Sequence, residues 1–164
     1  MGHRAEALAL IDASRPIFPV VGRANATTSW LAALMGVEAL ALLGERDAAA
    51  ELYPMVVDAS RAGILLRPWD FRIVETLAGI AASCAGEWDT AEAHFATALR
   101  SANDLPERIE SPEARRFLVR MLLDRGASGD LERAREESEL ACAEYREIGM
   151  PAHEAMTRSM LSEA

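Results

Sequence analysis

The sequence predicts an all-α chain, a superhelix of antiparallel helix pairs, on three observations. A glycine followed five residues later by an alanine occurs four times, as Gly2/Ala7, Gly44/Ala49, Gly86/Ala91 and Gly129/Ala134, with the glycines 42, 42 and 43 residues apart. A fixed period of that size marks a helical repeat array. After each glycine, small and apolar residues recur at three- and four-residue steps, which gathers them on one helical face. The chain is 51% hydrophobic but only 5% aromatic, so its bulk comes from Ala, Leu, Val and Met, as close-packed helices prefer.

Taken in order, about eight helices are expected in one domain of 164 residues: a half repeat at 1–14, repeats at about 28–61, 69–103 and 111–148, and a terminal helix at 151–162. Within each repeat, A and B denote the two antiparallel partners. The first helix, near 3–13, carries Leu8, Leu10 and Ile11 with no A helix before it. The array therefore reads as beginning in mid-repeat, part of something longer, and the uncovered apolar face predicts self-association as a homodimer.

The A helices at 28–43 and 69–85 contain Gly36 and Gly79, each costing about 1 kcal/mol of propensity and so expected where a neighbouring helix packs closely. In the B helices the apolar stripes are Ala49, Tyr53, Val56 and Ser60; Trp88, Ala91, Phe95, Ala98, Ala102 and Leu105; and Leu131, Ala134, Ser138, Ala141, Tyr145 and Ile148. Pro54 falls inside the helix that begins near Arg46 and should kink it or restart it, with the repeat register favouring the kink. Ser111-Pro112-Glu113 reads as a helix start, with Ser as cap and Pro in the first turn, and that helix should end near Arg125. The prolines Pro16, Pro19, Pro68, Pro106 and Pro112 fall in the long B-to-A connections. A short helix at 153–161 should cover the far end of the stack.

A formal charge of −9 opposes phosphate backbones and anionic membranes, so direct nucleic-acid and membrane binding are not expected. No stretch reaches the ~18 apolar residues of a membrane span, and the N-terminus lacks a leader pattern. The reading is of a soluble, cytoplasmic protein. Gly2 does not form a myristoylation signal, because Glu6 stands where Ser or Thr is needed. Cys84 and Cys142 lie on helix faces and read as inert packing thiols.

No catalytic constellation accompanies the repeats. His3, His94 and His153 lack a ligand partner at one-turn spacing, no phosphate loop or nucleophile elbow is present, and 124–130 lacks the alternating acids of a calcium loop. No enzyme activity, cofactor or metal is expected. The acidic run Glu132, Glu136, Glu137 and Glu139 reads as a solvated face with one-turn pairs Arg133–Glu137 and Arg135–Glu139.

Two clusters carry recognition chemistry. Arg108, Arg115, Arg116, Arg120 and Arg125 are the densest basic group. Arg116 and Arg120 share a helix face, where guanidinium forks could hold a phosphate or an acidic peptide; Glu107, Glu110 and Glu113 are ordinary partners nearby. Arg67-Pro68-Trp69-Asp70-Phe71-Arg72, at the mouth of an A helix, concentrates the Trp and Arg typical of interface anchors. Trp69, Phe71 and Trp30 are equally suited to inter-repeat packing.

Gly79, Gly86, Ala91, Phe95 and Ala98 fall at the spacing of a tetratricopeptide repeat, which the third copy resembles. More broadly, the segments 44–54, 66–82, 88–100, 105–117, 121–134 and 145–151 resemble the C-terminal helical-repeat regions of large bacterial signalling proteins. There the repeats follow an AAA-type ATPase module joined to a class III adenylate/guanylate cyclase or a transcription-regulator domain. The resemblance implies a sensing or scaffolding region and carries over none of those activities, since their motifs are missing. The expected role is a non-catalytic protein-interaction scaffold that binds a protein or peptide partner, or neighbouring domains, on a concave surface lined by A helices. The alternative is a small-molecule inducer sensor with its pocket near Trp30, Trp69 and Arg72.

Overall fold

In a computed structural model the described residues are 3–106 and 108–162; Gly2 of the first repeat signature and Glu107 of the basic cluster lie outside them. The chain runs α1 (Arg4–Ser14), a 3-10 turn (Arg15–Ile17), α2 (Thr27–Leu42), α3 (Arg46–Ala50), α4 (Tyr53–Arg61), α5 (Val74–Cys84), α6 (Trp88–Asp104), α7 (Glu110–Arg125), α8 (Asp130–Glu147) and α9 (Pro151–Ser162). Among the described residues there is no β-strand, only an isolated antiparallel bridge between Leu66 and Ile73. Counted with α3 and α4 as one broken helix, the helices among the described residues number eight.

The glycines explain themselves in the turns. Gly44 and Gly86 take φ of +81° and +76°, the left-handed region that costs an L side chain about 1–2 kcal/mol. Both close the same helix end: the Glu45 N–H donates to the Leu40 carbonyl at 2.9 Å and the Glu87 N–H to the Ala82 carbonyl at 3.0 Å, the 6→1 bond of a Schellman stop. The fourth copy spreads the turn over Gly126, which ends α7, and Gly129, which precedes α8, with φ of +61° and +87°. Each following alanine, Ala49, Ala91 and Ala134, is completely buried.

Packing proceeds between near neighbours. α2 lies against α3, α4 and α5; α5 also touches α3, α4, α6 and α7; α7 packs on α6 and α8, and α9 on α8. One apolar core threads α2 to α8, from Trp30 and Leu34 through Leu77 and Phe95 to Leu122 and Ala134. The closest approach is at Gly79, where an added Cβ would sit 2.8 Å from the Phe95 ring; one repeat earlier Gly36 faces Leu52, with 3.2 Å available.

Four expectations change. Pro54 does not kink a continuous helix: α3 stops at Ala50 and α4 starts at Tyr53, since the proline offers no N–H to the preceding turn. Around that break two positions of the expected stripe move by one residue, while Ala49 and Val56 stay completely buried. Leu52 and Ala59 are core, at 2% and 0% exposure, while Tyr53 and Ser60 are half-buried. The A helix expected from Trp69 begins only at Val74, because Trp69 and Phe71 have positive φ. Helix α7 starts at Glu110 with Ile109 before it, so Ser111 is inside the helix and caps nothing.

The N-terminal helix is thinly covered. α1 has no fully buried residue; Leu8 and Ile11 touch the core, and Leu10 is 70% exposed. No helix among the described residues is long and apolar enough to cross a membrane.

Replacing Gly79 by Ala should destabilise the chain by about 1–3 kcal/mol through overpacking, and Gly86→Ala by about 1–2 kcal/mol through its backbone. Thermal unfolding checks both. Combining Gly79→Ala with Phe95→Leu should recover part of the first loss and none of the second.

Candidate functional site

The connection between α4 and α5 is a tight hairpin-like loop. Its arms are tied by the Arg67 N–H to the Arg72 carbonyl at 2.7 Å and the Val74 N–H to the Leu65 carbonyl at 2.9 Å. At the tip, Trp69 and Phe71 hold φ of +84° and +56°, a strain of about 1–3 kcal/mol each that persists only where surroundings over-determine it. Asp70 supplies that constraint from below. It accepts from Arg67 Nε at 3.0 Å and from the Arg72 N–H at 3.3 Å. The result displays Trp69, 84% exposed, beside Phe71, 54% exposed.

Beneath the tip both arginines plunge into the helical stack. Arg67 Nη2 meets Glu38 of α2 at 2.6 Å, and Arg67 Nη1 donates to the Leu34 carbonyl at 3.1 Å. Arg72 Nη2 reaches Glu38 at 3.1 Å and Glu113 of α7 at 2.9 Å, and Nη1 lies 3.2 Å from Glu110. Glu110 also accepts the Ile73 N–H at 2.7 Å. Arg116 donates to Glu113 at 2.7 Å, and the Tyr145 hydroxyl of α8 closes the cluster on the same carboxylate. Burying so many charges is costly unless each is paired, and here almost every charged atom is; among the described residues Nε and Nη1 of Arg72 make no hydrogen bond.

The two α7 carboxylates titrate in opposite directions. Burial lifts Glu110 to about 7, outweighing the pull of Arg72 and the Ile73 N–H. Burial acts the same way on Glu113, but the hydrogen bond and charge of Arg116, with Arg72 and Tyr145, reverse it and hold the group at about 2. Tyr145 is pushed up by burial and by the Glu113 charge.

A second polar chain joins α4, α5 and α6. Tyr53 Oη contacts His94 Nε2 at 3.0 Å, His94 Nδ1 contacts Glu75 at 2.6 Å, and Ser60 donates to Glu75 at 2.9 Å. Sequence spacing hid this partner of His94, which lies 19 residues before it. Burial and Glu75 raise the Tyr53 phenol, the opposite of nucleophile activation, so the chain acts as a tie between repeats.

The third feature is a groove of about 450 Å³ between α2, α7 and α9, lined by Leu42, Arg116, Phe117, Arg120, Met156 and Met160 among others. Arg116 is braced flat over Phe117 at 4.3 Å and committed to Glu113. Arg120 is half-buried and, among the described residues, forms no ion pair.

The residues singled out by sequence thus separate. Arg67, Arg72 and Arg116 come together in one buried cluster, with the exposed Asp70 bonded to Arg67 at its edge, and the arginines serve internal carboxylates and have little left for a ligand. Trp69 stands above that cluster in solvent, Arg120 faces the groove, and Trp30, 6% exposed, belongs to the core. The rest of the basic group is spent on ion pairs: Arg108 on Glu147, Arg115 on Glu137 and Glu144, Arg125 on Asp130 and Glu92. Glu137 therefore does not pair with Arg133, which bonds Glu92 of α6 at 2.6 Å. Both thiols are free, Cys142 buried and Cys84 half-buried. Among the described residues no cluster of His, Cys, Asp and Glu is placed to hold a metal.

Sequence reasoning missed Glu38, the one charged residue in Thr27–Leu42. A lone carboxylate in so apolar a helix requires a buried cation, and that was the available signal.

Glu110 is protonated in the fold and ionised in the unfolded chain between its ordinary value and about 7, so its stabilising contribution is complete below pH 4.5 and is lost as pH rises through about 7. Glu113 has the reverse sign: its contribution is complete above pH 4.5 and is lost as pH falls towards about 2. Glu110→Gln should flatten stability between pH 5 and 7 and leave the acid limb intact, as measured by urea unfolding across pH.

Compared with protein-family models, with curated proteins and with solved structures, the chain matches none.

Proposed function

We propose that the chain is a tetratricopeptide-like helical-repeat scaffold that docks a partner protein through the Trp69–Phe71 loop. The observation that carries this reading is an 84% exposed tryptophan in a left-handed conformation, fixed by arginines anchored in the stack. Strained backbone held rigid beneath an exposed aromatic is the geometry of a preorganised recognition element, and Trp is the residue most enriched among interface anchors. The alternation of A and B helices, with α5 touching both α2 and α7, supports the repeat assignment. On the sequence resemblance, the role is a cytoplasmic, non-catalytic regulatory region of a bacterial signalling or transcription-regulatory protein.

Two surfaces extend this reading. The α1–α2 groove, about 250 Å³ and lined by Leu10, Ile11, Phe18 and Met35 among others, contains no charged side chain; in a chain of charge −9 an uncharged apolar patch is where two copies would meet. The groove of α2, α7 and α9 favours the second reading, a small-molecule sensor, at a place other than Trp30 and Arg72.

Trp69→Gly relieves the positive φ while deleting the ring. Stability should stay within about 1 kcal/mol, while affinity for a partner identified by crosslinking should fall about 30-fold, as for an anchor worth about 2 kcal/mol. Equal binding by the variant would exclude the loop. Light scattering at tens of micromolar should show a dimer that Leu10→Glu dissociates; a wild-type monomer would exclude self-association through this face.

A further inference from the structure

We infer that the groove between α2, α7 and α9 is a binding site for a small organic monocarboxylate with an apolar body. This rests on the small-molecule reading and is independent of the Trp69 loop. Arg120 and Asp124 stand one turn apart on α7, the spacing at which they would ordinarily pair. Asp124 is instead taken by Arg46 of α3, which also donates to the Ser83 carbonyl at 2.8 Å. Among the described residues Arg120 is thereby left without an ion pair, in a half-buried position. Its neighbour Arg116 turns Nη1 toward Met156 Sδ at 3.9 Å, a weak acceptor.

Apart from Asp124, whose charge is met by Arg46, the remaining walls are apolar: Leu42, Phe117, Leu123, Met156 and Met160. A neutral apolar ligand would strip water from Arg120 and return nothing. An inorganic phosphate would gain the guanidinium but waste the walls, and its second charge would face Asp124, which also lines the groove. One anionic fork on an apolar body satisfies both halves of the groove. The volume of about 450 Å³ falls within the range of ~300–1,000 Å³ that holds drug-sized ligands, and two methionines give a wall that adapts its shape.

The test is calorimetric titration of the full chain with sodium octanoate, octan-1-ol and inorganic phosphate as probes. Octanoate should bind at one site, octanol and phosphate at least about 10-fold more weakly, and Arg120→Gln should weaken octanoate by about 10-fold or more, as loss of a charged hydrogen bond does. Met156→Glu, at a 43% exposed position, brings an internal carboxylate to Arg120 and should also abolish octanoate binding, with helicity by circular dichroism unchanged. Octanol binding as tightly as octanoate, phosphate binding more tightly, no octanoate binding, or indifference to both substitutions would each overturn the inference. A broad metabolite panel read by thermal shift separates the two levels: a non-carboxylate hit overturns only the ligand class, and no hit at all overturns the sensor reading beneath it.

Discussion

Arg72 is the residue around which the molecule is assembled. It arises from the connection before α5, is 8% exposed, and faces three carboxylates, one from α2 and two from α7. A buried guanidinium so placed dictates geometry in a way that apolar packing does not: leucines slide, but fork-to-carboxylate contacts have fixed directions. The loop above inherits its shape from this constraint, since Arg67 and Asp70 are held from the same side. So does the spacing of α2 from α7, which share Glu38, Arg72 and Glu113 as a bridge. The acidic excess of the cluster is absorbed by the neutral form of Glu110, whose burial holds its proton near neutrality.

What the sequence disclosed and what it hid divide along physical lines. Turn glycines and buried alanines repeat, and repetition makes them readable: Gly44, Gly86 and Gly129 all have positive φ, and the alanines that follow are sealed. Contacts formed once are not readable by period. The loop from Leu65 to Ile73 copies nothing elsewhere, so its Trp69 and Phe71 looked like the first turn of a helix. Arg116 read as one half of an anion-binding face and Glu113 as an ordinary partner nearby, and only the approach of Arg72 and Tyr145 shows both to be buried. His94 is another such case, with partners supplied by α4 and α5.

The B-helix break shows a local rule overriding a periodic one. The repeat register put Tyr53 where Phe95 stands, yet the proline at 54 interrupts the helix and moves the inward position to Leu52, which fills against Gly36 the role that Phe95 fills against Gly79. Displaced by one residue, Tyr53 turns sideways and reaches His94. A missing hydrogen-bond donor thus accompanies a polar tie that joins α4 to α5 and α6.

Where helices couple only to their nearest neighbours, each can melt with little regard for those two places away. The Arg72 cluster breaks that independence by joining α2, α7 and α8 through side chains that lose their partners together. The helices from α2 to α8 should accordingly open as one cooperative unit, while α1, with no fully buried residue, is the segment free to fray without disturbing it. Heat or denaturant would then erode this molecule from its N-terminal edge and afterwards take the remainder in a single step.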